Sequence, residues 1–143
     1  LTSYFKSANI RPGKPILFAK FKGKEKAIFG LPGNPISSAA CFRFFVYPFI
    51  EKSLGIPSEK PIKAILKNNF KKQKDFTRFI KSRMSTTKNG KVFVELLSGQ
   101  ESFRIKSFVD SNIWTVLPRG KTNFKKGEII ECYLPNQSNN FLI

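Results

Sequence analysis

The residues best suited to chemistry lie where a short apolar strand is followed by a helix, in Leu31-Pro-Gly-Asn-Pro35. Asn34 is a typical N-cap and Pro35 a typical first helical residue, so a helix is predicted to begin here. Ser37 then falls in the first turn, where backbone N–H groups have no partner within the helix. Such a helix start can bind an anion through those donors. An ordinary strand-to-helix connection without a ligand would have the same sequence.

Proline–glycine pairs occur twice in the first 35 residues. Pro32-Gly33 suits the two central positions of a type II turn, in which the glycine takes a positive φ. Arg11-Pro-Gly-Lys-Pro15 repeats the pattern, which predicts the same turn chemistry at both places. The apolar stretches 16–19 and 26–29 beside these turns predict two strands. Residues 1–10 are predicted to be the tail of a helix or a loop.

The predicted helix is apolar on nearly every side, apart from Arg43 and two early serines. A helix of this kind is covered on more than one face, usually by a sheet and a neighbouring domain or subunit. Pro48 removes one helical hydrogen bond and is expected to kink the last turns. Leu54-Gly-Ile-Pro-Ser58 is typical of a domain boundary, so we predict a first domain over 1–54 and a linker over 55–60.

From residue 61 onward the pattern changes to short strands with turn residues between them. The predicted strands lie near 61–68, 76–84, 91–97, 112–117 and 127–134. Asn89-Gly90 is a strong hairpin signal between two of them. These strands predict a small antiparallel barrel or sandwich over 61–143, with a loose polar tail at 136–140.

Arg78 shares a face of its predicted strand with Phe76, Ile80 and Met84. An arginine on a mostly apolar face needs an anionic partner or a route to solvent, so Arg78 marks either an anion site or the rim of the barrel. Ser102 is, by itself, an ordinary polar loop residue.

The composition limits the functions that are open. Lysine and arginine number 26 against 9 acidic residues, and this net charge of +17 favours an anionic partner. The chain has no histidine, and no cysteine or carboxylate cluster has the spacing of metal ligands, so we expect no protein-held zinc or non-haem iron. Cys41 and Cys132 have apolar neighbours, which indicates reduced core residues of a cytosolic protein. The longest apolar run, 36–50, is too short to span a bilayer.

Together these segments resemble the molybdopterin molybdenumtransferase family, the MoeA type that includes the E domain of gephyrin. The resembling stretches are Arg11–Pro15, Phe29–Ser37, Cys41–Pro48, Asp75–Arg78, Gln100–Ser102 with Ser107, Phe108 and Asn112, and Lys125–Glu128. Their order and spacing extend over nearly the whole chain. The resemblance implies that 1–54 is the C-terminal part of the family's α/β domain and that 61–143 is its C-terminal β-barrel.

The resemblance also implies an activity for a longer protein, of which this chain is expected to be a fragment. Family members insert molybdate into adenylylated molybdopterin with Mg²⁺ and release AMP. They are typically homodimers, with the active site in a cleft between domains and subunits. The resemblance implies small anionic substrates, while the cysteines predict a cytoplasmic protein and the short apolar run predicts no membrane partner. The ligands of Mg²⁺ and of the pterin would lie mostly before Leu1, so this part is expected to be inactive alone.

Six positions match family residues that face molybdate or substrate phosphate: Arg11, Lys14, Pro15, Ser37, Arg78 and Ser102. Four more match its signature loop: Pro32, Gly33, Asn34 and Pro35. No catalytic residue and no metal ligand is named within this chain. Two departures stand out: Arg11 replaces an expected lysine, which keeps charge and alters geometry, and Glu101 puts a carboxylate where a small residue is usual.

Two other functions stay open. A basic barrel with many aromatic residues could bind single-stranded nucleic acid by stacking and phosphate contacts. The basic run at 60–83 fits this idea, although a solvated lysine-rich face is the interpretation we favour. A purely structural domain that docks a protein partner is the other alternative, as gephyrin illustrates.

Overall fold

The computed structural model describes residues 1–135, and the predicted polar tail at 136–140 lies outside them. The chain begins with an antiparallel three-stranded sheet in the order β1-β3-β4. Its strands are β1 (Thr2–Phe5), β3 (Leu17–Lys20) and β4 (Ala27–Gly30). The prediction of a helix tail or loop at 1–10 was therefore wrong. The strand forms because Thr2 and Ser3 pair with Lys20 and Ala19, a partner that local pattern does not reveal.

The helix begins at Pro35, as predicted, and runs in three parts to Ser53. These are α1 (Pro35–Cys41), a π-helical turn (Phe42–Val46) and α2 (Tyr47–Ser53). The π-helical turn ends two residues before Pro48, which has no N–H for the regular helical ladder. Among the described residues, none of the helices has the length and hydropathy that crossing a bilayer requires.

Gly33 does not take a positive φ, so the predicted type II turn at Pro32-Gly33 was wrong. Side chains of the helix start determine the conformation of this loop instead. Asn34 Oδ1 accepts from the N–H of Ile36 at 3.1 Å, and the Ser38 hydroxyl donates to the Pro32 carbonyl at 2.8 Å. These bonds fix the loop on both sides of Gly33, and its conformation does not require a glycine there.

Five strands close into a barrel, and each predicted strand is confirmed. They are β5 (Ile62–Leu66), β7 (Thr77–Thr86), β8 (Val92–Leu96), β9 (Ile113–Leu117) and β11 (Ile129–Tyr133). The order is β7-β8-β5-β11-β9 and back to β7, antiparallel except for the β5–β8 pair. Its interior is filled by apolar side chains: Ala64, Leu66, Ile80, Val94, Leu96, Ile113, Leu117, Phe124, Ile130 and Cys132. The short strands β6 (Phe70–Lys71) and β10 (Asn123–Phe124) and the helix α3 (Ile105–Val109) were not predicted.

The N-terminal part and the barrel meet along a second apolar cluster: Ile10, Ile16, Ile36, Ala40, Cys41, Phe79 and Trp114. The two-residue strand β2 (Ile10–Arg11) pairs in parallel with Thr77 and Arg78 of β7. The ring of Phe44 stacks on Phe79, with centroids 4.1 Å apart. On its other side the helix packs Phe49 against Phe18 and Phe29 of the three-stranded sheet. The helix is therefore covered on two faces. The division of the chain into two domains by a linker at 55–60 stays a prediction.

Arg43, in the π-helical turn, links the helix to the second half of the chain. Its side chain is buried at 3% exposure and lies against Glu59, which is 10% exposed. Two parallel hydrogen bonds join the groups, from Nη1 at 2.6 Å and from Nη2 at 2.7 Å. Nε donates to the carbonyl of Leu134 at 2.6 Å. This bidentate pair explains how one arginine is accommodated on an apolar helix.

We predict that Glu59→Gln destabilises the protein while preserving the shape of the side chain. Because Arg43 would remain buried beside a neutral amide, the free energy of unfolding should fall by about 1–3 kcal/mol. Denaturant titration measures this change, and Glu95→Gln at an exposed position of β8 is the control. If the free energy of unfolding falls no more than in the control, the Arg43–Glu59 pair does not stabilise the protein as proposed.

Candidate anion-binding cleft

A cleft of about 500 Å³ lies between the N-terminal part and the barrel. It is bounded by the turn 11–15, by the first turn of α1, by the start of β7 and by the loop 100–103. All six predicted site residues line it: Arg11, Lys14, Pro15, Ser37, Arg78 and Ser102. Pro12, Gly13, Gln100, Glu101 and Phe103 complete the wall. The four signature-loop residues lie outside the lining, at the start of α1.

The turn that carries Arg11 and Lys14 is held against α1 by close contact. Gly13 has a φ of +105°, and a Cβ there would lie 2.4 Å from the sulfur of Cys41. The Cys41 thiol donates to the Gly13 carbonyl at 3.5 Å, and burial raises the pKa of this thiol to about 11. The Lys14 carbonyl accepts from the N–H groups of Ala8 and Ile16, both at 3.0 Å. A glycine is therefore required at position 13, where α1 packs close to the turn.

Three cations converge at one end of the cleft. Because β2 pairs with β7, Arg11 lies directly opposite Arg78 in the ladder. The ring of Phe76 lies under both charges of the turn, 5.1 Å from Arg11 Cζ and 5.8 Å from Lys14 Nζ. Such cation–π contacts hold positive groups in place without neutralising them.

Arg78 is half-buried, and its Nε has no hydrogen-bond partner within residues 1–135. Burial lowers the pKa of Arg78, the charge of Arg11 lowers it further, and Glu101 acts in the opposite direction. A desolvated guanidinium beside a second one is an environment that an anion would stabilise. The anion-site interpretation of Arg78 stays a prediction.

Hydroxyl groups complete the wall. Ser37 is buried in the first turn of α1, and Ser102 is half-buried on the opposite side. The N–H groups of Ile36 and Ser37, expected as free anion donors, are instead directed to Asn34 Oδ1, at 3.1 and 3.5 Å. The helix start therefore offers the Ser37 side chain to the cleft rather than a set of open amides.

Glu101 is the carboxylate that lines the cleft, and it pairs with Arg104 at 3.1 Å. Both groups are more than half exposed, so solvent weakens the pair and its effect on bound anions. Within residues 1–135, no group of three or more acidic, cysteine or histidine side chains could hold a metal ion.

Two buried lysines behind the cleft were assigned to a solvated basic face, and that assignment was wrong. Lys72 Nζ donates to the carbonyl of Phe76 at 2.8 Å and to that of Gln73 at 3.2 Å. Lys81, which is 1% exposed, donates to three carbonyls of the loop that carries Ser102. For Lys81, the only sign of burial in the sequence was its position directly after Phe79-Ile80 in a strand. That position does not distinguish a buried lysine from an exposed one.

Comparison with known proteins agrees with this architecture. The family model for the MoeA C-terminal region (domain IV) matches residues 63–134, and the one for a probable molybdopterin binding domain matches residues 1–52. Molybdopterin molybdenumtransferases of Staphylococcus epidermidis and Synechococcus elongatus are 34% and 32% identical over 92% and 89% of this chain. The chain spans only 31% and 30% of their own lengths.

Solved structures show the same fold. The molybdopterin biosynthesis moeA protein of Pyrococcus horikoshii is 26% identical with a TM-score of 0.74, over 94% of this chain and 33% of that one. A molybdenum cofactor biosynthesis protein from Pyrococcus furiosus is 24% identical with a TM-score of 0.74, over 92% of this chain and 45% of that one. The fold of this chain is therefore that of one part of a MoeA protein. The chain belongs to the molybdopterin molybdenumtransferase (MoeA) family.

We predict that Gly13→Ala destabilises the protein and that Gly33→Ala does not. At Gly13 the new Cβ would meet Cys41 and the positive φ would be strained, so unfolding free energy should fall by about 2 kcal/mol or more. At Gly33 no atom lies within 4 Å, and the change should stay within about 0.5 kcal/mol. Denaturant titration of both variants tests the pair. Equal losses would contradict the different roles of the two turns.

Proposed function

We propose that this chain forms the oxyanion-binding wall of a molybdopterin molybdenumtransferase, which inserts molybdate into adenylylated molybdopterin and releases AMP. Family membership supports the reaction class, and the relatives carry that name. The observation that carries the proposal is the convergence of Arg11, Lys14 and Arg78 with two serine hydroxyls on one cleft. A small doubly charged anion is the ligand that such a set of donors suits.

The work required of these residues is positioning and charge stabilisation. Arg78 presents a half-buried guanidinium to the cleft, and such a group can donate to an oxyanion. Arg11 and Lys14 add positive charge from the turn beside Arg78, and the hydroxyls of Ser37 and Ser102 can donate to further oxygens. Held donors of this kind stabilise a tetrahedral dianion without a general acid or base. The absence of histidine is compatible with this chemistry.

The proposal also includes other features of the family reaction, to which we assign no residue of this chain. They are the binding of adenylylated molybdopterin, a requirement for Mg²⁺, a homodimer and a cytoplasmic location. The nucleic-acid alternative predicts a gel shift that weakens steeply as salt is raised. We favour the oxyanion because Arg11, Lys14 and Arg78 line one small cleft rather than an extended groove.

We predict that Arg78→Ala weakens molybdate binding by about 10- to 100-fold and Ser102→Ala by about 3- to 10-fold, since each removes a donor at the anion. The measurement is isothermal titration calorimetry with molybdate on the complete protein. Binding of the pterin nucleotide should be retained in both variants.

The matched control is Arg83→Ala. Arg83 lies on the same strand as Arg78, is exposed, and donates to the carbonyl of Asp110 outside the cleft. This variant should bind molybdate like the unmodified protein. Unchanged affinity in Arg78→Ala would remove the assignment.

A further inference from the structure

Lys81 is the most unusual buried group of the barrel. Its side chain is 1% exposed, and no carboxylate lies within ion-pair distance of Nζ among the described residues. Nζ donates instead to the carbonyls of Gly99 at 2.9 Å, Arg104 at 3.2 Å and Glu101 at 3.3 Å. Burying an ammonium group without a counter-ion is unfavourable, and these three bonds offset part of that cost.

The segment that receives these bonds is 99–104, between β8 and α3, and it carries Ser102 at the cleft. It contains no helix or strand, so its carbonyls have no ladder of their own. The Lys81 ammonium binds Gly99 and Arg104 at the two ends of the segment and Glu101 within it. Ser107 reinforces both ends, because its hydroxyl contacts the same carbonyls, Gly99 at 2.5 Å and Arg104 at 3.0 Å.

The backbone of Lys81 holds the loop as well. Gln100 accepts from the Lys81 N–H at 2.9 Å and donates to the Lys81 carbonyl at 2.8 Å. The same amide nitrogen also donates to the Leu97 carbonyl at 2.6 Å. One residue of β7 therefore contacts the loop through its main chain and its side chain. Arg78, three residues earlier on the same strand, faces the cleft that this loop completes.

We propose that Lys81 is a positioning residue that holds residues 99–104, and with them the Ser102 hydroxyl, at the wall of the cleft. The inference rests on the proposed oxyanion function and adds to it. Lys81 does not touch the ligand space itself, since it is absent from the cleft lining. Its effect on binding is exerted through Ser102, whereas Arg78 is held by its own strand and does not depend on it.

The experiment is a double-mutant cycle in the complete protein, with molybdate as the probe. Lys81→Met keeps the length of the side chain and removes the three donors. We expect about 3- to 10-fold weaker binding, and at least about tenfold faster amide exchange within 99–104. In the Lys81→Met background, Ser102→Ala should add less than about twofold, while Arg78→Ala should keep its full effect. Lys63→Met, at an exposed position of β5, should change neither binding nor exchange.

Additive effects of Lys81→Met and Ser102→Ala, or unchanged exchange in the loop, would overturn the inference. A purely structural lysine would lower stability without this selective coupling. If Lys81→Met does not fold, Lys81→Gln, which keeps one amide donor, takes its place with an intermediate effect expected. If the unmodified protein binds no molybdate, the proposed function fails, and loop exchange alone then decides whether Lys81 holds the loop.

Discussion

The cleft depends on a two-residue pairing between separate parts of the chain. Ile10 and Arg11 lie in parallel beside Thr77 and Arg78, at the edge of a closed barrel. Neighbouring strands are about 4.8 Å apart, so this pairing brings two arginines together despite their equal charge. The apolar cluster behind it, with the stack of Phe44 on Phe79, provides the free energy that offsets this repulsion.

Two kinds of buried cation show how the protein treats charge. Arg43 is neutralised by Glu59, and it links the helix to the rest of the chain. Lys72 and Lys81 are bound by backbone carbonyls, which satisfy the donors and leave the net charge in place. The first arrangement is structural. The second holds backbone segments beside the cleft in place, as Lys81 does for residues 99–104.

Local pattern was sufficient for elements whose determinants are adjacent in sequence. The five barrel strands follow from short stretches separated by turn residues, and the helix start at Asn34-Pro35 follows from capping. Local pattern was insufficient where an element depends on contacts that its own residues do not reveal. Thr2–Phe5 became a strand through β3, and the turn at Gly33 was decided by bonds from Asn34 and Ser38. The helix Ile105–Val109 has neither a side-chain N-cap nor an acidic first turn, and so carried no signal.

The sequence by itself determined the classes of residue, the order of the elements, the excess of positive charge and the family motifs. These are properties of composition and short-range spacing, which can be read without knowledge of the fold. Only the tertiary structure decided that Arg11 faces Arg78, that Phe76 lies beneath two cations, and that Lys81 is buried behind Ser102. The physical reason is that these contacts join residues far apart in the chain, and long-range packing rather than local preference selects them.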